Sequence, residues 1–343
     1  MKIAVDATYS VGANLTGVGL YSREILWGLA HTHPEIRWMF CYRPHRLLRS
    51  MASVLPRAAH RRILIDSLPP RSASLFHGLN QRLPGGRLAR AVSTFHDLFV
   101  LTADYSTAEF RQRFAAQARD AAERSSLVIA VSEFTASQVH ELLGVERSRL
   151  RVIPHGVRLP ETRDGSPARE NMILHVGAIQ KRKNIVRLIE AFERLQPGWK
   201  LVLAGSLGFG SEEILERIQS SPRASDIVVP GYVTRALLAQ LYLRAMIFTF
   251  PSLDEGFGMP VLEAMACGLP VVTSNRSALP EVAGDAAILV DPTSVDELAQ
   301  AMKTIIEQEG LRKMLRERGL ERASKFSWNE VVTKTWEVYR ELC

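Results

Sequence analysis

Residues 250–274 read "FPSLDEGFGMPVLEAMACGLPVVTS", and this passage decides the fold. An apolar run ends near Leu253, a glycine-rich turn follows, and a helical pattern begins at Met259 or Pro260 and stops at Gly268. Proline suits the first helical turn, where its missing N–H costs nothing, and glycine suits the stop. A second apolar run, "PVVTS", comes next, so the passage spells strand, turn, helix, strand. The helix N-terminus would aim unpaired amides at a ligand, and Gly256 and Gly258 let the backbone come close to it. Such a turn suits phosphate. Two carboxylates bracket it, however, Glu255 just before the helix and Glu263 about one turn inside. Carboxylates repel phosphate but accept hydrogen bonds from vicinal diols. A sugar nucleotide satisfies both demands, with its phosphates at the helix end and its sugar and ribose hydroxyls on the two acids.

The rest of the chain repeats the same alternation. Apolar runs in the first half are "KIAVDAT", "RWMFCYR", "RRILID", "SLFHGL", "AVSTFHDL", "LVIAVSEF" and "LRVIPHGV". In the second half they are "MILHVGAI", "KLVLAGSL", "DIVVPGYV", "IFTFPSL", "PVVTS" and "AAILVDP". Helical patterns at 105–124, 134–143, 184–195, 211–220, 234–244 and 294–308 separate many of them. Near-continuous apolar strands between helices mean parallel sheets covered on both faces. Two doubly wound α/β domains are expected, at 1–165 and 166–325, facing each other across a ligand cleft. The polar stretch "RLPETRDGSPAREN", 158–171, suits a linker. The tail, 326–343, reads as a final helix that packs back on the first domain, its Trp328, Trp336 and Tyr339 serving packing.

Composition narrows the class. The 343 residues are 46% apolar and 23% charged, the balance of a globular protein. No apolar run nears the roughly 18 residues of a membrane span. The chain opens directly on a strand pattern, and its three cysteines lack metal-ligand spacing, so a reduced, cytoplasmic protein without a leader is expected. Residues 1–165 hold 22 basic against 14 acidic residues, +8, while the remainder holds 21 against 22, −1. No acid lies between Glu35 and Asp66, where seven arginines do. In "RPHRLLRSMASVLP", Leu47, Leu48, Met51, Val54 and Leu55 fall at helical spacing beside Arg43, Arg46 and Arg49, with Pro56 as the stop. An amphipathic basic helix of this kind suits an anionic bilayer surface.

Three further segments bear on chemistry. "HVGAIQKRKNI" puts Lys181, Arg182 and Lys183 ahead of a helix, where the dipole prefers acids, so an anionic ligand is expected there. "GANLTGVGLYS" gives Gly17 and Gly19 as a permissive loop before a helix, without the third glycine of a dinucleotide fingerprint, which disfavours a dehydrogenase. "TFHDLF" places His96 at the end of an apolar strand, and His155 in "VIPHGV" reads as a turn residue. No D-x-D triplet and no His/Cys cluster suggests a metal.

Together these segments resemble the retaining glycosyltransferases of the group 1 kind, family 4, which have the GT-B architecture. "GVGLYS", "TFHDL", "VSEFTASQV", "VIPHGV", "VGAIQKRKNI", "GYV", "DEGFGMPVLEAMACGLPVV" and "LPEVAGDAAILVDP" carry the resemblance in order along the chain. It implies that Glu255 holds the donor sugar's hydroxyls and Glu263 the ribose. It implies that the backbone of Phe257, Gly258 and Met259 touches sugar and phosphate, and that Arg182 and Lys183 stabilise the departing diphosphate. His96 is implied near the sugar, Gly17 and Gly19 beneath phosphates and acceptor, and Tyr232 and Val233 beside the base. Relatives often have an arginine directly after "VG", where this chain has Ala178. "LFHGLNQRLPG" and "LAGSLGFGSEEIL" resemble mannosyltransferases using GDP-mannose in O-antigen, capsule or exopolysaccharide assembly. The expectation is a metal-independent, cofactor-free mannosyltransferase. It would act on a lipid-linked or growing glycan, without nucleic-acid partners, in the cytoplasm or against the inner face of the plasma membrane. A UDP-sugar donor, a GT-B sugar-nucleotide epimerase and a non-catalytic nucleotide-sugar binding module are the alternatives.

Overall fold

The computed structural model describes residues 1–12, 15, 17–158 and 168–343. Most of the expected linker, and the expected boundary between 165 and 166, lie outside the described residues. Two compact units are present, Met1–Gly156 with Ser327–Cys343, and Val157–Phe326.

In the first unit, β1 (Lys2–Asp6), β2 (Arg37–Tyr42), β3 (Ala59–Ile63), β4 (Leu75–Gly78), β5 (Ala91–Phe95), β6 (Leu127–Ala130) and β7 (Leu150–Val152) form one parallel sheet. Their order is β3-β2-β1-β4-β5-β6-β7. In the second, β8 (Met172–Val176), β9 (Lys200–Ala204), β10 (Ile227–Gly231), β11 (Ile247–Phe250), β12 (Val271–Ser274) and β13 (Ile288–Val290) form another, ordered β10-β9-β8-β11-β12-β13. Both are Rossmann-like, with winding that reverses after the third strand, between β1 and β4 and between β8 and β11. Ligands of such sheets bind where the order reverses, beyond the strands' carboxyl ends.

Helices cover both sheets, and many start at a capping side chain. Thr107, Ser132, Thr234 and Ser294 each accept a backbone N–H from the first turn of the helix that follows. Each cap of this kind is worth about 1 kcal/mol. The second unit's core gathers Ile189, Phe192, Leu201, Leu203, Ile247 and Met302 among others.

The final helix, Trp328–Leu342, belongs to the first unit and lies along helix Gly17–Thr32. Gly28 makes the close approach possible, because a Cβ there would sit 2.4 Å from Val332 Cγ2. Trp336 stacks on His33 at 3.9 Å, and the Tyr339 hydroxyl meets Nδ1 of buried His77 at 2.5 Å.

Two expectations change here. Gly17 and Gly19 do not form a loop: helix Gly17–Thr32 begins at Gly17, and Gly19 is buried in its first turn beneath the Tyr9 carbonyl. The basic helix is shorter than its spacing suggested, Pro44–Ser50 rather than up to Pro56. The Arg61 guanidinium takes the carbonyls of Ser50 and Ser53, which ends it. Arg43 is likewise committed, buried and paired with Asp66 at 3.0 Å. Leu48 and Val54 are nevertheless 84% and 88% exposed.

Candidate active site

The site of the second unit is built at the reversal between β8 and β11. After β8 the chain enters the short turn Lys181–Lys183 and then helix Ile185–Glu193; after β11 it runs through 251–258 into helix Met259–Ala266. The two loops are stitched together. Leu253 N–H donates to the Arg182 carbonyl at 2.9 Å, and the Asn184 amide donates to the Pro251 carbonyl at 3.1 Å.

Glu255 lies at the centre, 8% exposed. Arg182 Nη1 pairs with its Oε2 at 2.9 Å, Lys183 Nζ with its Oε1, and the Ser252 hydroxyl donates to Oε1 at 2.6 Å. Burial alone would push this carboxyl up, but Arg182 and then Lys183 overcome it and hold the group at about 2. Arg182 and Lys183 are themselves 7% exposed, and Lys183 Nζ also sits 4.7 Å from the centre of the Phe250 ring. The sequence reads the basic run as facing an anionic ligand, and the fold adds a resident partner for Arg182 and Lys183, while Lys181 turns to Glu213 at 2.9 Å.

The glycine turn is fixed from the other side. The Glu255 N–H donates to Ser277 Oγ at 3.0 Å, and the Ala278 N–H donates to the Glu255 carbonyl at 3.2 Å. Gly258 has φ +108°, a region that favours glycine, and a Cβ there would meet Leu279 Cδ2 at 2.6 Å. Phe257 is buried, whereas Met259 is only half-buried at the first position of the helix. Beyond them Glu263 is half-buried, with Oε2 accepting the Tyr242 hydroxyl at 2.9 Å. Burial raises the Glu263 carboxyl above its ordinary range, opposed by that hydrogen bond and by the charge of Arg235.

Arg182, Lys183, Glu255, Phe257, Gly258, Met259 and Glu263 therefore share one region of the second unit. Tyr232 and Val233 follow β10, two strands from β8 across β9, with Tyr232 exposed and Val233 half-buried. Gly17, Gly19 and His96 belong to the first unit. His96 directly follows β5, buried, with Nε2 donating to the Leu79 carbonyl at 2.9 Å and Nδ1 3.3 Å from His155 Nε2. Burial lowers His96 to about 4 and His155 well below its ordinary value, so both rings are neutral at neutral pH. His155 is thus a buried partner of His96 rather than a plain turn residue. Ser252, Ser277 and Tyr242 had no signal in the sequence, because each meets its glutamate only in the folded chain, the serines through loops and Tyr242 from a neighbouring helix.

Among the described residues, no group of three or more His, Cys, Asp and Glu could hold a metal ion. Nor, among the described residues, is any helix long and apolar enough to cross a membrane.

Comparison with known proteins identifies the family. Residues 161–322 match the family "Glycosyl transferases group 1", and residues 25–160 match "Glycosyltransferase Family 4". O-antigen chain mannosyltransferase B of Escherichia coli is 30% identical, the match covering all of both chains. The chain belongs to the group 1 glycosyltransferases, with the GT-B fold. Sucrose-phosphate synthase from Thermosynechococcus elongatus superposes with a TM-score of 0.82 at 21% identity, covering 100% of this chain and 99% of that one. Anabaena HepE, solved with UDP, gives 0.74 at 18% identity and 99% of each chain. Both likenesses speak for the fold alone.

Proposed function

We propose that this protein transfers mannose from GDP-mannose, with retention and without a metal ion, to a lipid-linked or growing glycan in surface-polysaccharide synthesis. The observation that carries the reading is the buried cluster of Arg182, Lys183 and Glu255 beside the Met259–Ala266 helix N-terminus. As the bond to the sugar breaks, negative charge builds on the leaving diphosphate. Fixed cations and helix-terminal amides stabilise that charge without reorganising. A carboxylate offers about four acceptor sites. Arg182, Lys183 and Ser252 occupy three on Glu255, which leaves one for a sugar hydroxyl. Glu263 holds the ribose. The leaving phosphate itself takes the acceptor's proton on the same face, so Glu255 positions the sugar and is no nucleophile. The mannose assignment is supported by the whole-chain likeness to an O-antigen chain mannosyltransferase.

The test supplies the purified chain with GDP-mannose or UDP-glucose and membranes of a polysaccharide-producing bacterium as acceptor source. Release of GDP with α-linked mannose in the product, undiminished by EDTA, is expected. Release of nucleoside diphosphate only from UDP-glucose reassigns the donor, and recovery of an isomerised sugar nucleotide makes the protein an epimerase. Binding without release makes it a binding module. Activity that vanishes in chelator and returns with magnesium removes the metal-independent mechanism.

A lipid-linked acceptor also gives a use to exposed Leu48, Met51 and Val54, which stand beside exposed Arg49 and Arg57 and half-buried Arg46. Each arginine near an anionic bilayer contributes about 1 kcal/mol. The protein is expected to sediment with anionic but not neutral liposomes, and Arg46→Glu/Arg49→Glu to abolish this. Equal recovery with both lipids, or an unaffected double variant, removes the membrane surface from the proposal.

A further inference from the structure

We propose that Tyr242 and Arg169 are positioning residues for Glu263, fixing the orientation in which its carboxylate meets the donor's ribose. The proposal rests on the ribose assignment of Glu263 made above. Four residues close a ring around that carboxylate. The Tyr242 hydroxyl donates to Glu263 Oε2 at 2.9 Å. The Glu263 carbonyl accepts the Cys267 N–H at 3.1 Å, one turn further along the same helix. The Cys267 carbonyl then accepts Arg169 Nη2 at 2.8 Å, and Arg169 Nη1 returns to the Tyr242 carbonyl at 3.3 Å. The same guanidinium also reaches the carbonyls of Ala245 at 2.6 Å and Gly268 at 3.0 Å.

One side chain therefore ties together the C-terminal ends of helices Arg235–Arg244 and Met259–Ala266, the first carrying Tyr242 and the second Glu263. A cation at a helix C-terminus is favoured by the unpaired carbonyls and by the dipole, and here it serves two helices at once. Arg169 forms no ion pair among the described residues; its donors go to main chain. Its neighbour Glu170 reinforces the junction, gripping the Arg244 side chain at 2.6 and 3.0 Å.

The tyrosine is as firmly set as the arginine. It is 3% exposed, and its ring lies 5.8 Å from that of Phe248. A glutamate has three rotatable bonds, and ordering them at the moment of binding would weaken affinity. Tyr242 orders them beforehand, engaging Oε2 and leaving Oε1 for the ribose hydroxyls. Around this carboxylate the charged and titratable groups are Tyr242 and Arg235 from one helix and Cys267 from its own.

The test is calorimetry of the full chain with GDP and UDP, the tighter serving as probe. Tyr242→Phe keeps the ring and removes only the hydroxyl, and is expected to weaken binding about tenfold. Turnover at saturating donor should stay within about twofold, since the loss falls on ground-state and transition-state binding alike. The acid limb of the affinity profile should move to higher pH, because the lost hydrogen bond favoured the charged form; a merely structural tyrosine would not move it. Arg169→Lys, keeping the charge without the fork, should weaken binding by a few fold. In a Glu263→Ala background neither substitution should matter further. Absence of binding by the unmodified chain, or full affinity in Glu263→Ala, would overturn the ribose reading and this proposal with it. If Glu263→Ala loses affinity while Tyr242→Phe does not, or if the effects simply add, the positioning proposal alone fails. Should Tyr242→Phe not fold, Arg169→Lys reads the same coupling.

Discussion

Glu255→Ala is expected to destabilise the second unit by about 3–5 kcal/mol, the cost of breaking a buried ion pair from one side. Arg182 and Lys183, each 7% exposed, would both lose their pairing with the Glu255 carboxylate. The acid response gives an independent reading. Glu255 is held at about 2, below its ordinary 4.5. A carboxyl lowered in the folded state contributes its full stability above the ordinary value and loses it as pH falls towards 2. The span corresponds to roughly 3 kcal/mol. Urea titrations of the unmodified chain should show stability falling between about pH 4.5 and 2, with a shallower fall in Glu255→Ala. Equal stability at neutral pH together with equal acid slopes would mean that the pairing carries no weight.

Removing either cation should strike turnover instead. Arg182→Ala and Lys183→Ala are each expected to lower kcat by about 10²–10³, the scale on which a fixed donor to developing charge acts. The fold should survive better than in Glu255→Ala, because Glu255 keeps one cation and the Ser252 hydroxyl. Initial rates at saturating donor, with circular dichroism as a fold control, give the answer. A kcat within threefold of the unmodified chain in both variants would take these residues out of leaving-group stabilisation.

The inner strands were legible because strands buried on both faces leave unbroken apolar runs, and each quoted run, those of the partly exposed edges β3, β7 and β10 included, became one strand of the sheets. The turn around Gly258 was legible too, since glycine, proline and helix pattern coincide within a few residues. Helix Glu309–Ser324 was not, because it buries little: Leu315, Gly319 and Ala323 are its buried residues, too few for a stripe. The pairing of Glu255 with Lys183, 72 residues away in sequence, was hidden for another reason. Strand order brings their loops together, and periodicity carries no record of which strands are neighbours. The same limit concealed the contact of His96 with His155, 59 residues apart, and that of Tyr242 with Glu263. Charge pattern raised the opposite difficulty at Arg43 and Arg61. Both look like surface charge in the sequence, yet one is buried on Asp66 and the other ends a helix.

The placement of Trp328–Leu342 against Gly17–Thr32 makes the first unit discontinuous, and this bears on the order in which the chain folds during synthesis. A ribosome delivers residues in sequence, at about 5–20 per second. When residue 156 has emerged, the first sheet has all its strands, but the surface of Gly28, His33 and Trp38 still lacks its cover. The second unit is contiguous and can close its core as soon as Phe326 is released. The half made first is therefore finished last, and for the time needed to translate the entire second half its aromatic flank stays wet. That interval, rather than the stability of the finished protein, is when this chain is most exposed to aggregation and to chaperones.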